Sequence, residues 1–245
     1  MQIHGLSKLT LLDYPEHMAC TVFTGACNFR CPYCHNAPLV LNPDSCPVIP
    51  EEEVFDFLAG RKGILEGVCI TGGEPTLQAD LLIFMKKIKD LGYKVKLDTN
   101  GYRPEVVEEV IKEGLADMFA IDIKNDKEKY PITCGILNDK AFETERISKS
   151  IELLKTSGIA YEFRTTVMKE LHDAERVENL AEWIAKTGGG NAEEIPYFLQ
   201  NFKSSDGLVC GNEDAFHSFT EAEMKELLEA ACKWLPKAKI RGEGR

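Results

Sequence analysis

The sequence predicts an α/β fold in the form of an open, partial (β/α)6 barrel with a parallel sheet. Six short runs rich in β-branched and aromatic residues alternate with amphipathic segments of helical length, a pattern typical of βα units. Strands are predicted at 19–25, 67–71, 94–98, 118–123, 161–167 and 194–199, and helices at 51–60, 79–91, 104–113, 143–157, 173–187 and 220–233. Six units are too few to close an eight-stranded barrel, so we expect an open sheet.

Helix boundaries follow from local residue types. Pro50 precedes three glutamates at 51–53, and Pro104 precedes another, so acidic residues lie in the first turns of two predicted helices. Lysine followed by glycine at 155–158 and 186–190 is typical of helix ends.

Two stretches lack a regular pattern. Residues 125–142 are expected to form a long connection, and residues 237–245 a loose tail.

Composition sets the broad class of protein. With 245 residues, 44% of them hydrophobic, the chain can bury a sizeable core. We expect a single domain over 1–245, with its core at about 17–202 and a C-terminal helix and tail at 203–245. Because no transmembrane run or secretory pattern is present, a cytoplasmic protein without a membrane partner is expected. A net charge of −11 argues against nucleic acid as a partner.

Polar and cysteine motifs follow the first four predicted strands in turn. Cys27, Cys31 and Cys34 follow the first strand with the spacing C-x3-C-x2-C. The next three strands end in Thr71-Gly72-Gly73-Glu74-Pro75, Asp98-Thr99-Asn100-Gly101 and Asp122-Ile123-Lys124. Ligands collect at the carboxyl ends of parallel strands, so we expect all four motifs on one rim of the fold. Glycines 72 and 73 are expected where a ligand approaches the main chain closely.

The three clustered cysteines predict a metal centre. They could hold three irons of a [4Fe–4S] cluster and leave the fourth iron open for a small molecule. Alternatives are a structural zinc site completed by His35 or Cys46, or unrelated thiols. The odd total of nine cysteines argues against a disulfide framework. The remaining thiols show no second C-x2-C motif, and we expect free or buried thiols at Cys46, Cys69, Cys134, Cys210 and Cys232.

These motifs resemble the radical S-adenosylmethionine (SAM) superfamily, through the cysteine spacing, Tyr33 before the third cysteine and the Gly-Gly-Glu motif. The Asp-Thr-Asn-Gly and Asp-x-Lys strand ends resemble activating enzymes of glycyl radical enzymes, such as the pyruvate formate-lyase activating enzyme. The segments at 5–15, 23–25 and 34–38 are similar to activating proteins of anaerobic ribonucleoside-triphosphate reductases. Glu16 departs from the pattern, because glycine is expected after Asp-Tyr-Pro.

The resemblance implies the cofactors and their contacts. It implies a [4Fe–4S] cluster on the three cysteines, SAM, and room for a monovalent cation. Glu74 and the main chain from Thr71 through Gly72 and Gly73 are expected at the SAM ammonium, and Asp98, Thr99 and Asp122 at SAM and the cation, with Asn100 at the rim. Lys124 is expected at the SAM carboxylate, or else as an exposed strand-end lysine. Tyr33 contacts the adenine or simply packs beside the cluster.

Two further residues complete the expected site. Arg164 lies inside an apolar run, so it needs a carboxylate partner, either from SAM or from an Asp or Glu. Asp13 contacts a loop of the partner protein by resemblance, or simply forms a turn.

The resemblance also implies the reaction and the partners. The 5′-deoxyadenosyl radical takes a hydrogen atom from a glycine of a glycyl radical enzyme, expected to be an anaerobic ribonucleotide reductase. Reduced flavodoxin or ferredoxin is the implied electron donor. Two alternatives stay open: a radical SAM enzyme acting on another peptide or small molecule, and a non-catalytic zinc or iron–sulfur binding module.

Overall fold

The computed structural model describes residues 1–136, 141–189, 191–204 and 207–242. This part of the chain divides into two compact units. The first comprises Met1–Asn28, Asn36–Thr99 and Glu105–Ala120, and the second comprises Phe29–His35, Asn100–Pro104 and Ile121–Arg245. The expectation of a single domain stays a prediction.

The first unit contains the amino-terminal strands and helices. Its strands are β1 (Ile3–Thr10), β2 (Ala19–Thr24), β3 (Gly67–Gly72) and β4 (Lys94–Thr99). Its helices are α1 (Ala37–Leu41), α2 (Glu51–Ala59), α3 (Leu81–Asp90) and all but the first residue of α4 (Pro104–Lys112). Strand β5 (Met118–Asp122) begins in the first unit and ends in the second.

The strands of the first unit form a mixed arrangement. Strand β1 is antiparallel to β2, whereas β2, β3 and β4 are parallel. Val22, Ile70 and Leu97 on the parallel strands are fully buried, as is typical of parallel sheets covered on both faces. The register pairs Thr24 with Gly72, so the carboxyl ends of β2 and β3 lie side by side.

The second unit contains the carboxyl-terminal elements. Its strands β6 (Ala160–Val167), β7 (Tyr197–Asn201) and β8 (Lys239–Ile240) are parallel. Its helices are α5 (Tyr130–Thr133), α6 (Thr144–Ser157), α7 (Ala174–Lys186) and α8 (Glu221–Cys232).

Side chains and a glycine set the helix boundaries of the second unit. Asp173 caps α7 by accepting a hydrogen bond from the Arg176 main chain, and Thr220 begins α8 with a capping box. Helix α6 ends at Gly158, where φ is 75°. None of the helices in the described part of the chain is both long and apolar enough to cross a membrane.

The six predicted strands and six predicted helices are all present. Their boundaries agree with the prediction within two residues, except for the last predicted strand, 194–199, which the structure places at Tyr197–Asn201. The difference arises because Ala192–Glu194 form a 3₁₀ helix ahead of that strand.

Some elements were missed. The hairpin strand β1 was not predicted. The expected connection at 125–142 contains α5, and residues 137–140 within it lie outside the described residues. The prediction of a loose tail at 237–245 is wrong for β8, which pairs with β7, while residues 243–245 are not described.

Glu16 lies in the turn between β1 and β2 with a φ of 65°, a left-handed conformation that favours glycine. The departure noted in the sequence therefore falls on a position that suits the expected glycine. We predict that Glu16→Gly raises the free energy of unfolding by about 1 kcal/mol, since the left-handed conformation costs other residues ~1–2 kcal/mol. Urea denaturation measures this.

Glu52→Gly serves as the control, because Glu52 lies in the first turn of α2. Glycine there should lower the free energy of unfolding by about 0.5–1 kcal/mol. Equal losses in both variants would contradict the strain assigned to Glu16.

Candidate active site

The Gly72-Gly73 pair lets the end of β3 approach the loop after β2. The Gly73 amide donates a hydrogen bond to the Thr24 carbonyl at 2.9 Å, and the Glu74 amide donates to the Ala26 carbonyl at 2.8 Å. A Cβ on Gly73 would lie 1.9 Å from the Ala26 oxygen, and one on Gly72 would lie 2.2 Å from the Thr24 nitrogen. The chain's own backbone therefore requires glycine at both positions, and the expected approach of a ligand to them stays a prediction.

The loop after β2 is held at further points. The Asn36 amide group donates to the Gly72 carbonyl at 3.1 Å, and Gln78 donates to the Gly25 carbonyl at 2.9 Å. The Thr71 carbonyl accepts a hydrogen bond from the Thr24 hydroxyl at 3.2 Å. Ala26 has a φ of 65°, so the residue just before the cysteine motif is held in a strained conformation.

Glu74 joins the ends of β3 and β4. Its carboxylate is 1% exposed and accepts hydrogen bonds at Oε1 from the Thr76 amide at 3.0 Å, the Thr76 hydroxyl at 2.5 Å and the Thr99 hydroxyl at 2.7 Å. The structure thus brings together two residues that the sequence predicted at separate strand ends, Glu74 and Thr99.

Asp98 forms an ion pair with Lys96, two residues earlier on the same face of β4. The Lys96 side chain is fully buried, and that of Asp98 is 10% exposed. Sequence reasoning missed Lys96, because a lysine inside a strand is ordinarily exposed.

In the second unit, Asp122 at the end of β5 pairs with two positively charged side chains. Arg164 Nε donates to Asp122 Oδ1 at 2.8 Å, and Lys124 Nζ donates to Oδ2 at 3.3 Å. Burial raises the pKa of Asp122, but the charges of Arg164 and Lys124 outweigh it and hold the pKa well below its ordinary range. The expectation that Arg164 needs a carboxylate is met by Asp122.

This charge network extends to the last strand. Arg164 Nη1 lies 3.7 Å from Glu162 Oε1, and the Arg241 guanidinium binds Oε2 of the same carboxylate. Glu162 is 2% exposed, and Arg241 stacks over the Phe198 ring at 4.4 Å. Glu162 and Arg241 were not predicted, because their contact joins residues far apart in the sequence.

The buried Cys31 lies beside a second thiol, Cys134. The Arg30 amide donates to the Cys134 carbonyl at 2.8 Å, and a Cβ on Gly135 would lie 2.1 Å from the Arg30 carbonyl oxygen. Interaction with the Cys134 thiol, followed by the Lys124 charge, lowers the pKa of Cys31 despite its burial. Cys134 is a buried thiol outside any disulfide, which agrees with the prediction, and it lies next to the motif.

Tyr33 and Cys34 are held by the second unit. The Tyr33 ring packs edge-on against Phe216, with 6.0 Å between centroids. The Tyr33 hydroxyl is buried near Cys31, and within the described ranges no group gives it a hydrogen bond of normal geometry. The Cys34 carbonyl accepts a hydrogen bond from the Val209 amide at 3.2 Å. This contact helps to hold the end of the cysteine motif in place.

Asn100 and Asp13 occupy separate local settings. The side-chain oxygen of the buried Asn100 accepts from the Tyr102 amide at 3.0 Å. Asp13 accepts from the Thr21 hydroxyl at 2.5 Å, within the β1–β2 hairpin. Both contacts stabilise turns, and the proposed contacts of these residues with SAM or a partner stay predictions.

The cysteine motif has the chemistry that an iron–sulfur cluster requires. Cys27 belongs to the first unit, and Cys31 and Cys34 belong to the second. Among the residues that the structure describes, no three His, Cys, Asp or Glu side chains converge on a single-ion site. Each cysteine of a cluster binds a different iron, so its ligands need not converge on one point. The lowered Cys31 pKa, the Lys124 charge and the buried Tyr33 hydroxyl fit a bound, negatively charged cluster.

Comparisons with known proteins agree with the motifs. A family model described as the Radical SAM superfamily matches residues 21–184. A Methanocaldococcus jannaschii protein that carries the provisional name glycyl-radical enzyme activating enzyme is 33% identical, over 98% of this chain and 95% of that protein. The pyruvate formate-lyase-activating enzyme of Clostridium pasteurianum is 30% identical, over 80% of this chain and 82% of the enzyme. A GTP 3′,8-cyclase of Nautilia profundicola is 30% identical, over 76% of this chain but 57% of the cyclase.

Solved structures share the fold at low sequence identity. A radical SAM methyltransferase from Sphaerobacter thermophilus matches with a TM-score of 0.71 at 12% identity, over 93% of this chain and 67% of that chain. Streptococcus suis SuiB bound to the precursor peptide SuiA matches with a TM-score of 0.67 at 16% identity, over 91% of this chain and 48% of that chain. These likenesses confirm the predicted α/β fold of the radical SAM type.

We predict that Gly73→Ala lowers the free energy of unfolding by about 3 kcal/mol or more, because its Cβ would overlap the Ala26 carbonyl. Thermal and urea denaturation measure the loss. Gly60→Ala is the matched control, since a Cβ there meets its nearest atoms at 3.6 Å, and it should change stability by less than about 0.5 kcal/mol. Equal stability of the two variants would contradict the close contact between Gly73 and the Ala26 carbonyl.

We predict that Asp122→Asn lowers the free energy of unfolding by about 1–3 kcal/mol at pH 7, because Arg164 and Lys124 lose their shared carboxylate. The carboxylate's folded-state pKa is depressed, so its contribution is present above an unfolded-state pKa of about 3.9. It is lost as the pH falls below that value towards the folded-state pKa.

Denaturation of both proteins from pH 7 to pH 2 should therefore show the stability difference shrinking below about pH 4. Asp44→Asn, at an exposed position, is the control and should change little at any pH. A difference that stays constant over this range would contradict the ion-pair assignment.

Proposed function

The chain belongs to the radical SAM superfamily, and on that premise we propose that it activates a partner enzyme by taking a hydrogen atom from one of its glycines. The main support is the Methanocaldococcus jannaschii relative, which matches almost end to end. The chain covers 95% and 82% of two proteins named as activating enzymes, but 57% and 52% of two GTP 3′,8-cyclases. Coverage therefore favours an activating enzyme over a nucleotide cyclase.

Cys27, Cys31 and Cys34 would hold a [4Fe–4S] cluster and leave one iron for SAM. The bound cluster and SAM supply a one-electron cleavage that yields methionine and a 5′-deoxyadenosyl radical. Cys134 and Lys124 lower the pKa of Cys31, which favours the thiolate form that binds metal. Tyr33 is buried beside Cys31 and would help to exclude water from its sulfur.

The polar residues of the strand ends would hold SAM. Glu74, fixed by Thr76 and Thr99, offers a buried carboxylate to the methionine ammonium. Arg164 and Lys124 offer positive charge to the methionine carboxylate, and Asp122 fixes the position of both side chains. Because Glu74 is held by several hydrogen bonds, it needs little rearrangement when SAM binds.

A glycine suits this reaction, because its radical is delocalised over the flanking amides and no side chain twists it from planarity. We propose an anaerobic ribonucleotide reductase as the partner, on the resemblance of residues 5–15 to the activating proteins of those reductases. Asp13 would contact the partner's glycine loop, and reduced flavodoxin or ferredoxin would supply the electron. A cytoplasmic site of action suits both the electron donor and the absence of disulfides among the described cysteines.

Electron spin resonance tests the activation directly. The reconstituted, reduced protein is mixed anaerobically with SAM and a candidate reductase, and a glycyl-type doublet is expected on the reductase. Formation of 5′-deoxyadenosine without a doublet on any candidate would favour another peptide or small molecule as substrate. Absence of SAM cleavage would contradict the proposed chemistry itself.

We predict that Cys31→Ala abolishes cluster binding and SAM cleavage together, because the motif loses a thiolate that no neighbouring residue is proposed to replace. Iron content and 5′-deoxyadenosine yield measure the two losses. Cys46→Ala is the matched control, since Cys46 lies outside the motif, and it should keep both properties. SAM cleavage retained by Cys31→Ala would contradict the ligand assignment.

A further inference from the structure

Lys96 is a fully buried lysine within β4, three residues before Thr99 at the end of that strand. Its side chain has no exposed surface, and its ammonium is paired with the carboxylate of Asp98. Lysine is almost never fully buried unless it is paired, because removing its charge from water is costly. An ion pair of this kind therefore calls for an explanation beyond packing.

The resemblance to activating enzymes allows for a monovalent cation at Asp98, Thr99 and Asp122. Such a cation needs oxygen ligands whose negative charge is not already balanced. Asp98 is balanced by Lys96, and the Thr99 hydroxyl directs its proton to Glu74. The residues of the first unit therefore fit a resident ammonium better than a metal ion.

Asp122, in the second unit, is also balanced. It accepts hydrogen bonds from Arg164 at 2.8 Å and from Lys124 at 3.3 Å. Both carboxylates expected at the cation thus already have positive partners within the chain. A further cation would have to displace one of these pairs.

We propose that the Lys96 ammonium serves as a built-in cation, so that this protein binds SAM without K⁺ or Na⁺. Lys96 is a positioning residue, which acts by holding the Asp98 carboxylate in place and neutralising its charge. The inference rests on the proposed SAM site, although the exchange of ammonium for metal at Asp98 can be tested without SAM.

The experiment measures SAM binding by equilibrium dialysis on the cluster-loaded protein. KCl replaces tetramethylammonium chloride at constant ionic strength, because tetramethylammonium is too large to enter a buried site. The affinity of the unchanged protein should vary by less than about twofold. The affinity of the Lys96→Met variant for SAM should fall about tenfold or more in tetramethylammonium chloride, and most of that loss should be recovered in KCl.

Thermal denaturation in the same salts gives a readout independent of SAM. Lys96→Met should melt at a higher temperature in KCl than in tetramethylammonium chloride, because K⁺ binding stabilises the folded state. Lys94→Met is the matched control, at an exposed lysine of the same strand, and should show no such salt effect. If no form binds SAM, the proposed function fails, while the melting series still decides the role of Lys96.

A double variant keeps the test decisive if Lys96→Met folds poorly. Lys96→Met combined with Asp98→Asn removes both charges, so it leaves no unpaired buried ion and should fold. Its melting temperature should not respond to K⁺. The inference would be overturned if K⁺ strengthened SAM binding to the unchanged protein more than about fivefold, or stabilised the double variant as much as Lys96→Met.

Discussion

Two main-chain hydrogen bonds, from Gly73 to Thr24 and from Glu74 to Ala26, join the end of β3 to the loop after β2. They set the position of the Glu74 side chain, whose carboxylate accepts hydrogen bonds from Thr76 and Thr99. The same loop leads directly into the cysteine motif. Placement of the polar strand ends and of the first cysteine in the first unit therefore depends on one close backbone contact, which only glycine allows.

Charge compensation within the chain is the second organising principle. Asp98 is paired with Lys96 in the first unit, and Asp122 is paired with Arg164 and Lys124 in the second. Each carboxylate near a strand end is thus oriented by the protein itself. Since a buried ion is costly without its partner, these pairs restrict the side chains to one arrangement before any ligand binds.

Hydrophobic patterning predicted the six repeated βα units well, because each long strand and helix carries its own periodic signal. Motif spacing placed Glu74, Asp98, Asp122 and the cysteines at strand ends or in the following loop. What local patterns could not show were contacts between distant segments, such as Cys134 beside Cys31 or Arg241 on Glu162. The two-residue strand β8 was also missed, because so short a run has no period, and Lys96 because its burial depends on Asp98.

The pairing of Glu162 with Arg241 has a consequence for biosynthesis. The ribosome releases β6 about eighty residues before Arg241 emerges. Until then, the Glu162 carboxylate lacks its ion pair with Arg241, and β7 lacks its pairing with β8. Maturation of the second unit is therefore expected to wait until Arg241 has left the ribosome.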